Sequence, residues 1–323
     1  TRWSFPMYNT SPNSKSMKQT TDKLLMIRPD CFYTNEQTAT NNYFQERTKD
    51  NRQSTTIKAQ QEFDEFVDEL KANGVKVYVW QDAKEPITPD ALFPNNWISF
   101  HNPSTLISYP MFAPNRQLEV SDAPIKFLAS NGFSFNNKID FTSHISSNRF
   151  LEGTGSMVLD RVNKIAYCAR SERTNEELID LFCKEMGYTS FVFSSFQTVN
   201  GQRKPIYHTN VMMSIGLDFS MVCLQSIDDP DERNTLIDYF NNTGKRILEL
   251  SEDQIHQFAG NALELKSDNG ARLLALSSRG YHALTSTQVE ELSDQLKIIH
   301  SPLSTIEQLG GGSARCMMAE LFM

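Results

Sequence analysis

A cysteine late in the sequence, Cys316, follows three glycines in the run GGGSARC. Far upstream stand His208, in YHTN, and Glu152, in EGTGS. A thiol, an imidazole and a carboxylate brought to one place supply a nucleophile, a base that takes its proton and a group that orients the base. Glycines 310–312 would let the loop beside the thiol take positive φ and approach a ligand closely. Amides lie at similar points of the sequence: Asn95 and Asn96 in FPNN, Asn210 in YHTN and Asn42 in TNNYFQ. Each signal alone is weak. A free cysteine is as often a buried structural thiol, and Cys168, Cys183 and Cys223 fit that reading inside apolar runs. His101, His144, His256, His282 and His300 read as ordinary core or surface residues. No H-E-x-x-H and no paired Cys/His spacing points to a metal, and no phosphate-binding glycine pattern follows a strand, so no cofactor is expected.

Residues so distant need a scaffold that brings equivalent points together, and the sequence carries a repeat. An Asn or Gly cluster followed by an apolar strand recurs at Asn42, Asn96, Gly153, Asn210, Asn261 and Ser313, in steps of 54, 57, 57, 51 and 52 residues. After NNWISF comes a second strand, TLISYPMF; after GSMVLDR comes NKIAYCAR; after NVMMSIG comes SMVCLQSI. After NALELK, Asp268-Asn269-Gly270 signals a hairpin into ARLLALSS. Helical patterns follow most of these pairs (TNEELIDLFCKEMG, DERNTLIDYFNNTG, TSTQVEELSDQL), with Ser/Thr/Asp caps or closing glycines. A further strand then leads on: KVYVW, FVFSSF, RILEL or IIHSPL. Each unit is β-β-α-β. The first unit has a helix without a hairpin, and the last strand, CMMAELFM, has no helix. Pairing that last strand with LLMIRPD gives five units in a ring, an α/β propeller whose termini share one blade and whose closure removes exposed sheet edges. An open α/β sheet is the competing architecture. In the ring, the cluster loops converge at one end of the axis.

Composition narrows the field. At 39% hydrophobic residues the 323-residue chain can bury a large core, which excludes global disorder. No apolar run approaches the roughly 18 residues of a membrane span. A net charge of −8 with no basic block excludes nucleic acid as the main partner. Five scattered cysteines without C-x-x-C read as a reducing, cytoplasmic setting. Residues 1–16 are polar, lack an apolar signal core and read as an extension or start-site artefact. Residues 17–323 read as one catalytic domain.

In LLMIRPD, LFPNNWISF, LEGTGSMVLD, ARSERTNEEL, YHTNVMMSIG and GGGSARCMMAEL, the sequence over about residues 20–323 resembles the guanidino-group-modifying (pentein) superfamily. The FPNNW and HTN phrases are most similar to its amidinotransferase-like citrulline-utilisation hydrolases. The resemblance implies a five-bladed α/β propeller with Cys316 as nucleophile, His208 as general acid/base and Glu152 binding substrate nitrogen near His208. It also implies a basic residue toward the substrate carboxylate, Arg173, with Arg170 or Arg315 able to do the same. The partner is then a small ureido or guanidino amino acid, and a homodimer is compatible with the reading.

The sequence departs from the deiminases, which carry Asp where Asn96 and Asn210 stand. Paired carboxylates suit a guanidinium cation, whereas amides both donate and accept and suit a neutral ureido group. Mismatched buried polar groups cost ~1–3 kcal/mol each, so two swaps could decide the preference. The expected reaction is therefore hydrolysis of citrulline to ornithine, carbon dioxide and ammonia through a covalent Cys316 intermediate. Glu152 is expected to favour the protonated form of His208. Arginine deiminase or dimethylargininase activity would need another carboxylate for the cation, with Asp30, Glu36 and Asp82 available. Amidinotransfer, or a non-enzymatic ring-shaped binding protein, are further readings.

Overall fold

Every cluster that the sequence places before an apolar strand pair is followed by an antiparallel hairpin, a helix and a parallel strand. The computed structural model describes residues 18–46, 51–101 and 104–322; the extension expected over residues 1–16 lies outside them. The strands are β1 (Lys23–Arg28), β2 (Lys76–Gln81), β3 (Ile98–His101), β4 (Thr105–Ser108), β5 (Asn137–Asp140), β6 (Met157–Asp160), β7 (Ile165–Ala169) and β8 (Thr189–Phe193). Next come β9 (Phe196–Val199), β10 (Gln202–Pro205), β11 (Met213–Ile215), β12 (Phe219–Val222) and β13 (Arg246–Glu249). The last four are β14 (Leu263–Lys266), β15 (Arg272–Ser277), β16 (Lys297–Ser301) and β17 (Ala319–Glu320).

Among the described residues they form five three-stranded sheets, ordered β17-β1-β2, β3-β4-β5, β6-β7-β8, β11-β12-β13 and β14-β15-β16, plus the β9-β10 hairpin. Among the described residues no sheet closes on itself as a barrel. In each three-stranded sheet the central strand pairs antiparallel with its inner neighbour and parallel with its outer one. A parallel pairing needs a crossover, and a helix supplies it each time: Arg52–Ala72, Ala123–Ser130, Glu176–Met186, Pro230–Asn242 and Ser286–Ser293. The last strand lies beside the first, with Leu24 opposite Glu320 and Leu25 opposite Ala319.

Burial follows strand position. The inner strands β3, β6 and β11 are buried along their whole length, as is the central β7, IAYCA; strands covered on both faces read as continuous apolar runs. Outer strands meet solvent, and β5, NKID, is mostly exposed. That polarity hides β5 from an apolar pattern. The helices dock through one face: Ala59, Phe63, Phe66 and Leu70 of Arg52–Ala72 are fully buried, each large side chain contributing ~1.5–3 kcal/mol. Local sequence sets the ends. Asn175 caps Glu176–Met186 by accepting from Leu178 N, and Thr285 and Gln288 form a capping box at Ser286–Ser293. No helix among the described residues is long and apolar enough to cross a membrane.

The expected segments need three corrections. FVFSSF is two strands broken at Ser194–Ser195, because β9 leaves the sheet to pair with β10. CMMAELFM is strand only at Ala319–Glu320, since Ala314–Met317 forms a single helical turn. YHTNVMM likewise holds a turn, Thr209–Met212, before β11 starts.

Candidate active site

Those helical turns are the common element of the site. Pro94–Asn96, Gly153–Ser156, Thr209–Met212 and Ala314–Met317 each stand close before an inner strand. The Gly153–Ser156 turn packs against both Pro94–Asn96 and Thr209–Met212, and Pro94–Asn96 packs against Ala314–Met317. Residues far apart in sequence therefore meet because their turns occupy equivalent points of different sheets.

Cys316 and His208 line one small cavity, together with Asn96, Asp90, Arg116 and Arg173. The Cys316 Sγ accepts from Asn261 Nδ2 at 3.3 Å and from Asn210 Nδ2 at 3.5 Å. The glycines beside it both pack and line the cavity, through Gly310 and Gly312. Gly311 takes φ +61, and a Cβ on Gly310 or Gly312 would lie 2.9–3.0 Å from the Phe93 ring.

His208 Nε2 lies 2.7 Å from Glu152 Oε2. A carboxylate only accepts, so Nε2 carries the hydrogen and Nδ1 is left to take a proton. Glu152 is fully buried and both its oxygens are engaged: Oε1 accepts from Phe112 N at 3.0 Å, and Oε2 also meets Arg173 NH1 at 3.4 Å, with Arg116 NH1 at 4.0 Å. Burial alone would raise its carboxyl, but Arg173, His208 and Arg116 together hold it well below the usual carboxylate range. His208 is shifted downward despite Glu152. Burial lowers it, Glu152 raises it, Arg173 and Arg116 lower it again, and the balance is about 4. Glu152 favours the protonated ring, as expected, but burial and the two arginines outweigh it and leave the imidazole uncharged at neutral pH. A neutral imidazole that shares a cavity with a thiol can act first as a base.

The cavity wall also carries charge of both signs. Asp90 Oδ2 accepts from Asn35 Nδ2 at 2.8 Å and sits 3.8 Å from Arg116 Nε, while the buried Oδ1 has no partner. Burial raises the Asp90 carboxyl, and Arg116 opposes that. Arg116 is clamped by Glu119 through two 2.9 Å bonds and donates to Asn96 Oδ1 at 2.8 Å. Arg173 donates to Thr38 O and Asn41 Oδ1 and crosses the Tyr207 ring at 4.8 Å.

The other expected residues lie as follows. Asn96 donates to Asn95 Oδ1 at 2.9 Å and Asn95 to Thr154 Oγ1 at 3.1 Å, so Asn95 stands behind the cavity wall. Asn42 lines the cavity and ties the glycine loop through Gly310 O and Gly311 O. Arg170 pairs with Glu176 and Glu232, and Arg315 with Glu320; neither lines the cavity. Asp30, Glu36 and Asp82 are likewise not in its wall. Asp90, Arg116 and Asn261 escaped the sequence reading. Asp90 and Arg116 lie in loops outside the repeat phase, whereas Asn261 was visible as a cluster marker. All five cysteines are unpaired, and the described residues contain no cluster of three metal-ligating side chains.

The sequence matches the family described as N,N dimethylarginine dimethylhydrolase, eukaryotic, over residues 28–323. Comparison with curated proteins gives no match. The fold is similar to the N-terminal domain of ArgZ, an arginine dihydrolase from the ornithine-ammonia cycle in cyanobacteria, with TM-score 0.68 and 17% identity over 93% of this chain and 97% of that domain. AgrE in complex with ornithine and NAD+ gives TM-score 0.69 and 15% identity over 93% of this chain. A dimethylarginine dimethylaminohydrolase carrying an S-methyl-L-thiocitrulline adduct gives TM-score 0.63 and 12% identity over 94% of this chain and 100% of that one. The chain spans only 40% of full-length ArgZ and 39% of AgrE. At these identities the likenesses establish the fold.

Proposed function

The chain belongs to the N,N dimethylarginine dimethylhydrolase (eukaryotic) family, and from that premise we propose that it hydrolyses the ureido C–N bond of citrulline or a close analogue. It is a cysteine-dependent hydrolase of the guanidino-group-modifying superfamily. One observation carries the finer reading. The side chains around Cys316 Sγ are the amides of Asn210 and Asn261, and Glu152, the nearby carboxylate, has both oxygens engaged. A neutral ureido group needs no carboxylate beside sulfur, and the carboxylate in the cavity wall, Asp90, is left for the ammonium of the amino acid. In the same cavity, the free Asp90 oxygen, with Arg116 and Arg173, suits the ammonium and carboxylate of an amino acid.

In this reading His208 Nδ1 takes the thiol proton as sulfur bonds to the ureido carbon. The proton passes to the δ-nitrogen as its C–N bond breaks, since an amine anion cannot leave at neutral pH. Ornithine departs and an S-carbamoyl thioester remains. His208 then takes a proton from water, the hydroxyl adds to the carbamoyl carbon, and the C–S bond breaks with the proton returned to sulfur. Carbamic acid leaves and decomposes to carbon dioxide and ammonia. Glu152 steadies the imidazolium formed in each half.

We also infer that the five sheets close into a five-bladed ring forming one domain. The contacts of β17 with β3, β6 with β11 and β11 with β14 support that closure. The five unpaired cysteines support a reducing compartment.

A second reading, arginine or dimethylarginine as the first substrate, is favoured by the family's own description. Incubation with citrulline, arginine, dimethylarginine and agmatine, with ornithine, citrulline and ammonia assayed and Cys316→Ala as control, separates the two. Ornithine and ammonia in equal amounts from citrulline are expected. Citrulline accumulating from arginine without being consumed overturns the ureido reading.

A further inference from the structure

Asn261 sits in the cluster loop before β14 and has no part in the proposed proton transfers. It is fully buried, and its hydrogen bonds run to the two loops of the site. Its Oδ1 accepts from Arg315 N at 3.0 Å, and its Nδ2 donates to Asn210 O at 2.9 Å and to Cys316 Sγ at 3.3 Å. One amide thus touches the turn bearing the thiol, the turn that follows His208, and the sulfur itself. The Arg315 N–H fixes which end faces sulfur, because only the amide oxygen can meet it.

The loop that presents Asn261 is locally unfavourable. Phe258 takes φ +63, a left-handed conformation that bulky side chains rarely adopt. Gly260 packs so tightly on the Thr209–Met212 turn that a Cβ would lie 2.5 Å from Val211 O. Strain and close approach on either side of one residue persist where the surroundings over-determine it, as at functional sites.

We infer that Asn261 is a positioning residue for Cys316: it fixes the sulfur relative to His208 and, with Asn210, aims an amide N–H at the negative charge that forms on sulfur as its proton leaves. The inference rests on Cys316 being the nucleophile. A carboxylate of the same shape would keep the acceptor toward Arg315 N but could not donate to sulfur.

Asn261→Asp makes that change. Alkylation of Cys316 by iodoacetamide, followed without substrate by peptide mass spectrometry from about pH 6 to about pH 9, reads the sulfur directly and separates it from the half-buried Cys31. The expected result is alkylation at least roughly tenfold slower near neutral pH, with the profile displaced to higher pH. kcat falls with KM within about twofold, and Asn261→Ser, which retains a donor, recovers part of the rate. A profile superimposable on the wild type overturns the inference, whatever happens to turnover. If the Asp variant does not unfold cooperatively, Asn261→Ala is held to the same two outcomes. Turnover surviving in Cys316→Ala would remove the proposed function; a Cys316-dependent enzyme with unaltered alkylation in the Asn261 variants removes this inference alone.

Discussion

Replacing His208 by Gln tests whether the imidazole is neutral at rest, the premise of its acting first as a base. Its folded-state value, about 4, lies below the ordinary 6.5. The unfolded chain therefore binds the proton first as pH falls. Stability from the buried neutral ring is complete above pH 6.5 and is lost as pH drops toward 4. At about pH 5 the unfolded imidazole is almost fully protonated and the folded one about a tenth protonated, which amounts to about 2 kcal/mol. Gln fills similar space, can donate to Glu152 and does not titrate. Urea unfolding of both proteins from about pH 8 to about pH 5 should show the wild type losing about 2 kcal/mol more than His208→Gln. Glu119, raised to about 8, and Glu307, raised to about 7, both by burial, add stability at low pH that fades as pH rises. They are present in both proteins and cancel in the difference. A wild type that loses less stability than His208→Gln as pH falls would mean a folded value raised above 6.5 and a charged resting imidazole, and the base role in the attack would fail; parallel curves would mean an unshifted ring.

Three other perturbations probe separate parts of the cavity. Glu152→Gln removes the charge facing His208, Arg173 and Arg116; hydrogen bonds to charged groups are worth ~1.5–3 kcal/mol, so steady-state kinetics should show kcat down about 10- to 150-fold with KM little changed. Asp90→Asn should raise KM for the amino acid at least roughly tenfold with kcat nearly retained; an unchanged KM in the same kinetics would remove Asp90 from substrate binding. In Gly155→Ala the new Cβ would stand 2.6 Å from Asn96 Nδ2 and 2.8 Å from His208 Nδ1. Displacing the ring should cost about 100-fold in kcat while the melting temperature, read by calorimetry, falls only a few degrees.

What the sequence disclosed depended on whether a residue's role leaves a periodic trace. The hairpins were legible because inner and central strands are buried and spell continuous apolar runs, as in IAYCA. β5 was not, because its outer position lets NKID be polar. The helical turns at the clusters were read as strand starts, since one turn is too short to show a 3.6-residue period. Cys316, His208 and Glu152 stood out by type at matching repeat positions. Asp90 and Arg116 lie outside that phase, and nothing in their neighbours marks them until the chain folds. The neutrality of His208 was also beyond reach, because it is set by burial and two arginines contributed from other parts of the chain.

The pairing of β17 with β1 bears on the order in which reactivity arises. Cys316 lies three residues before a two-residue strand whose partner is almost a whole chain length away, and contacts of such long sequence separation form slowly. Until the first and last strands meet, the sulfur lacks both the amides that hold it and the imidazole that would unmask it. A chain still searching for its fold therefore carries a thiol without its amide partners, and the assembled site arrives with topological completion.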